Sequence, residues 1–183
     1  MRVTGSSRLE PGTRAELGLP IWAFVRLAGR VTRGEPPRLF LILGKNRRLF
    51  RSWLRFAARL MPRGKLPRRE TELVILRVAG LCGCDYEYEH HVRMARRAGV
   101  SRAEIDGIAD RAEREWSPRE SAILLAVEQL HTDRTVDDKT WETLRPHLSD
   151  PEIVELFMLV GHYEMLALVI GGLRIRPDGH LAA

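Results

Sequence analysis

The sequence predicts an all-α protein, and three observations carry that prediction. Apolar residues recur at three- and four-residue steps along nearly the whole chain. Proline, glycine and capping residues separate these stretches, as they do at helix ends. No segment alternates polar and apolar residues for long enough to make a half-buried strand. At 183 residues, 44% hydrophobic and 30% charged, the chain reads as one soluble globular domain over 1–183. Within it, residues 1–64 are an N-terminal helical extension, 65–110 a motif-bearing core and 111–183 the C-terminal helices.

The elements follow in order. Residues 1–13 read as a loose lead. Arg14 to Arg33 reads as one helix, or as two halves broken at Pro20, and Gly34-Glu35-Pro36-Pro37 ends it. Arg38 to Gly44 makes a short helix, and a long basic one follows Asn46 as far as Met61. Pro62, Gly64 and Pro67 form the next break. A helix from Arg68 to about Gly80 turns Leu73, Leu76, Val78 and Ala79 inward, with Gly80 and Gly83 allowing a tight corner. A helix over Cys84–Ala98 stops at Gly99. Ser101-Arg102-Ala103-Glu104 is a capping box for a short helix, and Ser117-Pro118-Arg119-Glu120 repeats that logic with proline at the first helical position. Trp141 to His147 and Pro151 to Leu173 complete the set.

A faint internal repeat runs through this order. Pro67-Arg68-Arg69-Glu70 before Leu73-Val74-Ile75-Leu76 echoes Ser117-Pro118-Arg119-Glu120 before Ile123-Leu124-Leu125, and Tyr86-Glu87 has a counterpart in Tyr163-Glu164.

Charge narrows the functional classes. The net charge is +6, and ten Lys or Arg fall between Lys45 and Arg69 with no Asp or Glu among them. Arg48, Arg51, Arg55 and Arg59 form one stripe of a helix whose other face carries Phe50, Trp53, Ala57 and Leu60. A solvated face, or one meeting acidic residues of another subunit, is favoured over nucleic acid as its partner. The start of the chain lacks the apolar core of a signal peptide. The longest apolar run, Leu156 to Leu173, holds His162 and Glu164 near its middle, which argues against a bilayer span. A cytoplasmic location is expected. Cys82 and Cys84, separated only by Gly83, are too close in sequence to cross-link the fold usefully.

Candidate chemistry lies in Glu72, Cys84, Glu87 and His91. Glu87 and His91 stand three and seven residues after Cys84, so one helix stacks all three on a single face. Glu72, twelve residues before Cys84, sits on a preceding apolar helix able to fold back against it. A thiol at a helix start meets unpaired N–H groups that favour its anion, which Asp85 and Glu87 oppose. His91 is placed to take the thiol proton, or to be held protonated by Glu87, and a buried Glu72 to act as an acid. Each group also has an ordinary structural reading: an inert core cysteine, a surface Glu–His pair, a carboxylate in a helix's first turn. Tyr86, Tyr88 and Tyr163 are candidates to line a pocket. His90 falls on the outer face, and His162 reads as a core or interface histidine. The spacing of His91, Glu87, Glu72 and Cys84 matches no standard zinc pattern, so no metal or other cofactor is expected.

The stretch from Leu66-Pro67 through Glu72-Leu73-Val74-Ile75-Leu76, Tyr86-Glu87 and His91 to Ala98-Gly99-Val100-Ser101 and Glu104-Ile105 resembles the carboxymuconolactone decarboxylase family, which includes alkyl hydroperoxidase D (AhpD)-like proteins. Gly161-His162-Tyr163 resembles that family's C-terminal helix, and Pro37–Phe40 with Leu49–Leu54 its N-terminal extension. The resemblance implies an AhpD-like all-α fold, a small organic substrate and a homo-oligomer, commonly a trimer or hexamer, with sites near subunit contacts. On the peroxidase pattern Glu72 takes the relay Glu, Cys84 the first Cys and His91 the His, but Glu87 stands where the second Cys belongs. A disulfide mechanism needs two thiols within reach, and Cys82 across one glycine is a strained substitute. The decarboxylase-like pattern has Glu at that position with His four residues on. Three readings follow: cofactor-free acid–base chemistry of decarboxylase type on Glu72, Glu87 and His91; thiol-dependent peroxide reduction through Cys84; and a non-catalytic oligomer binding an acidic partner through its basic helix.

Overall fold

The computed structural model describes residues 6–31, 35–61, 63–110 and 116–178, and among them every regular element is a helix. The helices are α1 (Arg14–Leu17), α2 (Leu19–Val31), α3 (Arg38–Leu43), α4 (Arg47–Leu60), α5 (Arg68–Cys82), α6 (Asp85–Arg97), α7 (Arg102–Asp110), α8 (Pro118–Asp133), α9 (Asp138–Leu144) and α10 (Asp150–Leu173). The chain divides into two compact units, one dominated by Ala58–Leu168 and the other by Val3–Ala57 with Val169–Ala183.

The smaller unit is built on aromatic packing. Leu17, Ile21, Val25 and Phe50 form its buried cluster, with Trp22, Phe40 and Trp53 packed around them. Phe50 stacks on Trp53 with ring centroids 5.6 Å apart. The first predicted helix is broken at Gly18, not at Pro20: Gly18 takes φ 73°, a backbone state glycine tolerates best, and Pro20 sits harmlessly in the first turn of α2. Arg47 donates to the carbonyls of Ala15 and Glu16 at the end of α1, satisfying acceptors the short helix leaves open. Arg48, Arg51, Arg55 and Arg59 are exposed as the periodicity of α4 predicted.

In the larger unit, α5 is the central helix. It is buried almost continuously from Glu70 to Ala79, because α6, α7 and α8 all pack on it. Leu73 and Leu76 join Ala95, Val100, Ile105, Ile108 and Leu124 in one cluster. Burying a leucine side chain of this kind is worth about 1.5–3 kcal/mol. The faint repeat has a structural counterpart at the α5–α8 contact. Arg69 donates to Glu120 and Arg119 donates to Glu70, both at 2.8 Å, so the two Arg-Glu pairs answer each other across the helices.

At the end of α5, Gly83 is left-handed (φ 61°), and the Cys84 N–H returns to the Ala79 carbonyl at 2.8 Å. This corner moves two predicted boundaries. Helix α5 continues through Cys82, and Cys84 is the N-cap of α6 instead of its first residue. Helix α10 is, among the described residues, the one long and apolar enough to cross a membrane by length and composition. Its Leu156, Leu159, Val160, Tyr163 and Leu166 are buried in the larger unit, while Val154, Met158, Met165 and Leu168 lie exposed along another face.

Candidate functional site

The site grows from three helices of the larger unit. Helix α5 supplies Arg68 and Glu72, α6 supplies Glu87 and His91, and α10 supplies Tyr163. Glu72 is fully buried, and His91 and Tyr163 are nearly so. His91 Nδ1 lies 2.7 Å from Glu72 Oε2, and Tyr163 Oη lies 3.2 Å from His91 Nε2. Arg68, one turn before Glu72, forms an ion pair with its other oxygen. A carboxylate facing Nδ1 requires the proton on that nitrogen, which leaves Nε2 to accept the tyrosine O–H. The result is a continuous chain from the Arg68 guanidinium through carboxylate and imidazole to phenol. Met61 Sδ, 4.0 Å from the phenol oxygen, closes its far end.

Burial sets the proton affinities along this chain. His91 is lowered below the ordinary histidine value, first by desolvation, with the hydrogen bond to Glu72 pulling the other way. Tyr163 is raised well above the ordinary phenol, by burial and then by the charges of Glu87 and Glu72. Both shifts keep the relay neutral at its imidazole and phenol near pH 7.

Glu87 and Cys84 form a second pair beside it. Both Glu87 oxygens are buried without a hydrogen-bond partner, and burial pushes the carboxyl up to about 8. Cys84 is pushed up to about 12, by burial and then by Glu87. The backbone N–H of Glu87 opposes that rise, as a helix N-terminus should, but desolvation outweighs it. The predicted Glu87–His91 pairing is therefore replaced: Glu72, from the neighbouring helix, takes the imidazole.

The remaining candidates separate. Tyr163 joins the relay. Tyr88 instead donates to the Ile105 carbonyl at 3.0 Å and packs in the α5–α7 core, and Tyr86 is buried against the His90 ring at 4.9 Å. His162 is buried, lowered to about 4 by desolvation, and packs edge-on to Tyr163. Arg68 was missed as a member of the site, although its four-residue step to Glu72 was a usable signal. A depression of about 300 Å³ lined by Arg77, Ile108, Trp116, Leu124 and Glu128 shares no residue with the relay.

A third cluster has no counterpart in the sequence reading. The Gly83 corner turns the two thiols to different surroundings, and both are free. Cys82 Sγ lies 3.9 Å from His131 Nδ1, which lies 2.9 Å from Glu164 Oε1. Arg134 pairs with the other oxygen of Glu164.

Residues 47–129 match the sequence profile of the carboxymuconolactone decarboxylase family, so the resemblance read from the motifs holds for that stretch. The fold is that of AhpD-like proteins. An uncharacterized peroxidase-related protein from Ralstonia eutropha JMP134, described as an alkylhydroperoxidase AhpD core, superposes with TM-score 0.82 at 20% identity over 94% of this chain and 92% of its own. A protein of unknown function from Agrobacterium tumefaciens, associated by name with the antioxidant defence protein AhpD, gives TM-score 0.66 at 25% identity over 72% of this chain and 91% of its own. The debrominase Bmp8, as a cysteine-to-alanine variant in complex with 2,3,4-tribromopyrrole, gives 0.79 at 16% identity over 95% of both chains. No curated protein matches the sequence significantly.

Proposed function

We propose that this chain is a cofactor-free enzyme that moves protons on a small organic substrate, with a lactone acid undergoing decarboxylation as the reaction type. The observation that carries the reading is the buried relay Arg68–Glu72–His91–Tyr163. Loss of carbon dioxide from a conjugated lactone acid leaves an electron pair that delocalises into the carbonyl system and must then be protonated at carbon. Glu87, held protonated near neutrality, is the acid for that step. Solvent restores the Glu87 proton, while Glu72 with Arg68 fixes the His91 imidazole and His91 in turn holds the Tyr163 phenol, which orient the substrate beside Glu87. The test is carbon dioxide release from conjugated carboxylactones by the native chain, His91→Gln and Cys84→Ser. Retained turnover in His91→Gln sinks the reading, as does its absence in the native chain.

The second reading is hydroperoxide reduction through Cys84. It is supported by the position of Cys84 at the N-cap of α6 and by the peroxidase-related names of structural neighbours. One thiol attacking a peroxide yields a sulfenic acid and an alcohol, and an external thiol must then reduce the enzyme. Peroxide consumption lost in Cys84→Ser, with an alkylation rate above that of a free thiol, decides for it. The exposed row Val154, Met158, Met165 and Leu168 supports assembly as a homo-oligomer, for which the family resemblance implies three or six chains; light scattering on the purified protein measures the number.

A further inference from the structure

We infer that Cys82, His131 and Glu164 form a binding site for a divalent cation of the zinc class, separate from the His91 relay. Three helices converge to build it: Cys82 ends α5, His131 lies in the last turn of α8, and Glu164 lies within α10. Their candidate ligand atoms all lie within 4.8 Å of one another. Thiolate, imidazole and carboxylate together are a donor set that suits zinc, with a fourth position open for water.

The separations are those of a site poised to close on an ion. Bonds of about 2.0–2.3 Å in a tetrahedron place donor atoms roughly 3.3–3.8 Å apart. The Sγ–Nδ1 distance is 3.9 Å, and the Nδ1–Oε1 distance of 2.9 Å is that of a hydrogen bond the ion would replace. Small side-chain rotations cover both differences.

The surroundings favour a cation. Cys82 and His131 stand at the C-terminal ends of α5 and α8, where a helix carries partial negative charge. Arg134, in a left-handed turn just after α8, holds the second oxygen of Glu164 and so orients the first toward His131. The side chains of His131 and Glu164 are 23% and 16% exposed, so an ion has a path in. The competing arrangement is an imidazolium–carboxylate pair tying α8 to α10, with Cys82 a bystander. Binding differs from it in its proton balance: the cation displaces the Cys82 thiol proton to solvent and requires His131 neutral.

The experiment is cobalt(II) titration of the chelator-treated, full-length protein, followed by displacement with zinc. A sulfur-to-cobalt charge-transfer band that saturates at one equivalent and is displaced by zinc is the expected result. Cys82→Ser should abolish the band, Cys84→Ser should keep it, and His131→Gln should weaken binding roughly tenfold or more. Circular dichroism confirms that each variant is folded. Should Cys82→Ser fail to fold, His131→Gln and the rise in native melting temperature with zinc carry the test. No band, a band surviving in Cys82→Ser, or one lost in Cys84→Ser overturns the inference.

Discussion

Adjacent residues of α10 serve opposite kinds of polar cluster. Tyr163 belongs to a relay whose members Glu72, His91 and Tyr163 are sealed from water, and Glu164 to a cluster that solvent reaches. In the sealed cluster, desolvation dominates every resolved shift: His91 down, Tyr163 up, Glu87 up to about 8. In the accessible one, direct pairing with Arg134 and His131 organises the carboxylate. Burial suits the first to the proposed proton transfer. Access suits the second to the proposed cation.

Substitutions can break this contrast, beginning with the largest effect. His91→Ala should lower turnover by roughly 10²–10⁴, the usual range for a general acid–base group, whereas Arg134→Ala should leave turnover within about twofold. Steady-state assays on both variants compare the clusters directly.

Glu87→Gln tests the sealed environment through pH. The folded-state value of about 8 lies above the ordinary carboxyl value of 4.5. Between these, the folded chain keeps a proton that the unfolded chain releases, so stability falls as pH rises from about 4.5 to 8 and then levels. The neutral amide does not titrate. Glu87→Gln should therefore melt increasingly above the native protein over that window, by on the order of a few kcal/mol at pH 8–9, with little added below 4.5. Parallel melting curves at pH 4.5, 6.5 and 8.5 check it; a constant difference would show that Glu87 is already charged.

Tyr163→Phe removes one neutral hydrogen bond to His91 and keeps the ring packing. A cost of about 0.5–1.5 kcal/mol is expected in chemical denaturation, with a fall in turnover smaller than that of His91→Ala. The smallest effect is Arg134→Ala on stability. Its side chain is 68% exposed, so losing the Glu164 pair should cost under about 1 kcal/mol and less at high salt.

Much of this was legible in the sequence. The capping boxes at Ser101 and Ser117, the proline breaks and the apolar stripes located most helices, because those signals are local and act over one or two turns. The motif bearing Glu72 and His91 was readable for the same reason, as was the exposure of Arg48, Arg51, Arg55 and Arg59. The His91 partner was not. Helical spacing nominated Glu87, but spacing compares residues only within one helix, and the Gly83 corner brought Glu72 to the imidazole instead.

What the sequence settled alone was the helical class, the family motif and the residues able to do chemistry, since these depend on residue type and near-neighbour spacing. Tertiary structure decided which of those groups touch, which are dry and which are wet. Cys82, His131 and Glu164 are 49 and 33 residues apart in turn, a separation at which periodicity holds no information. Helix packing alone brings them together, because only the fold sets which distant turns of chain lie side by side.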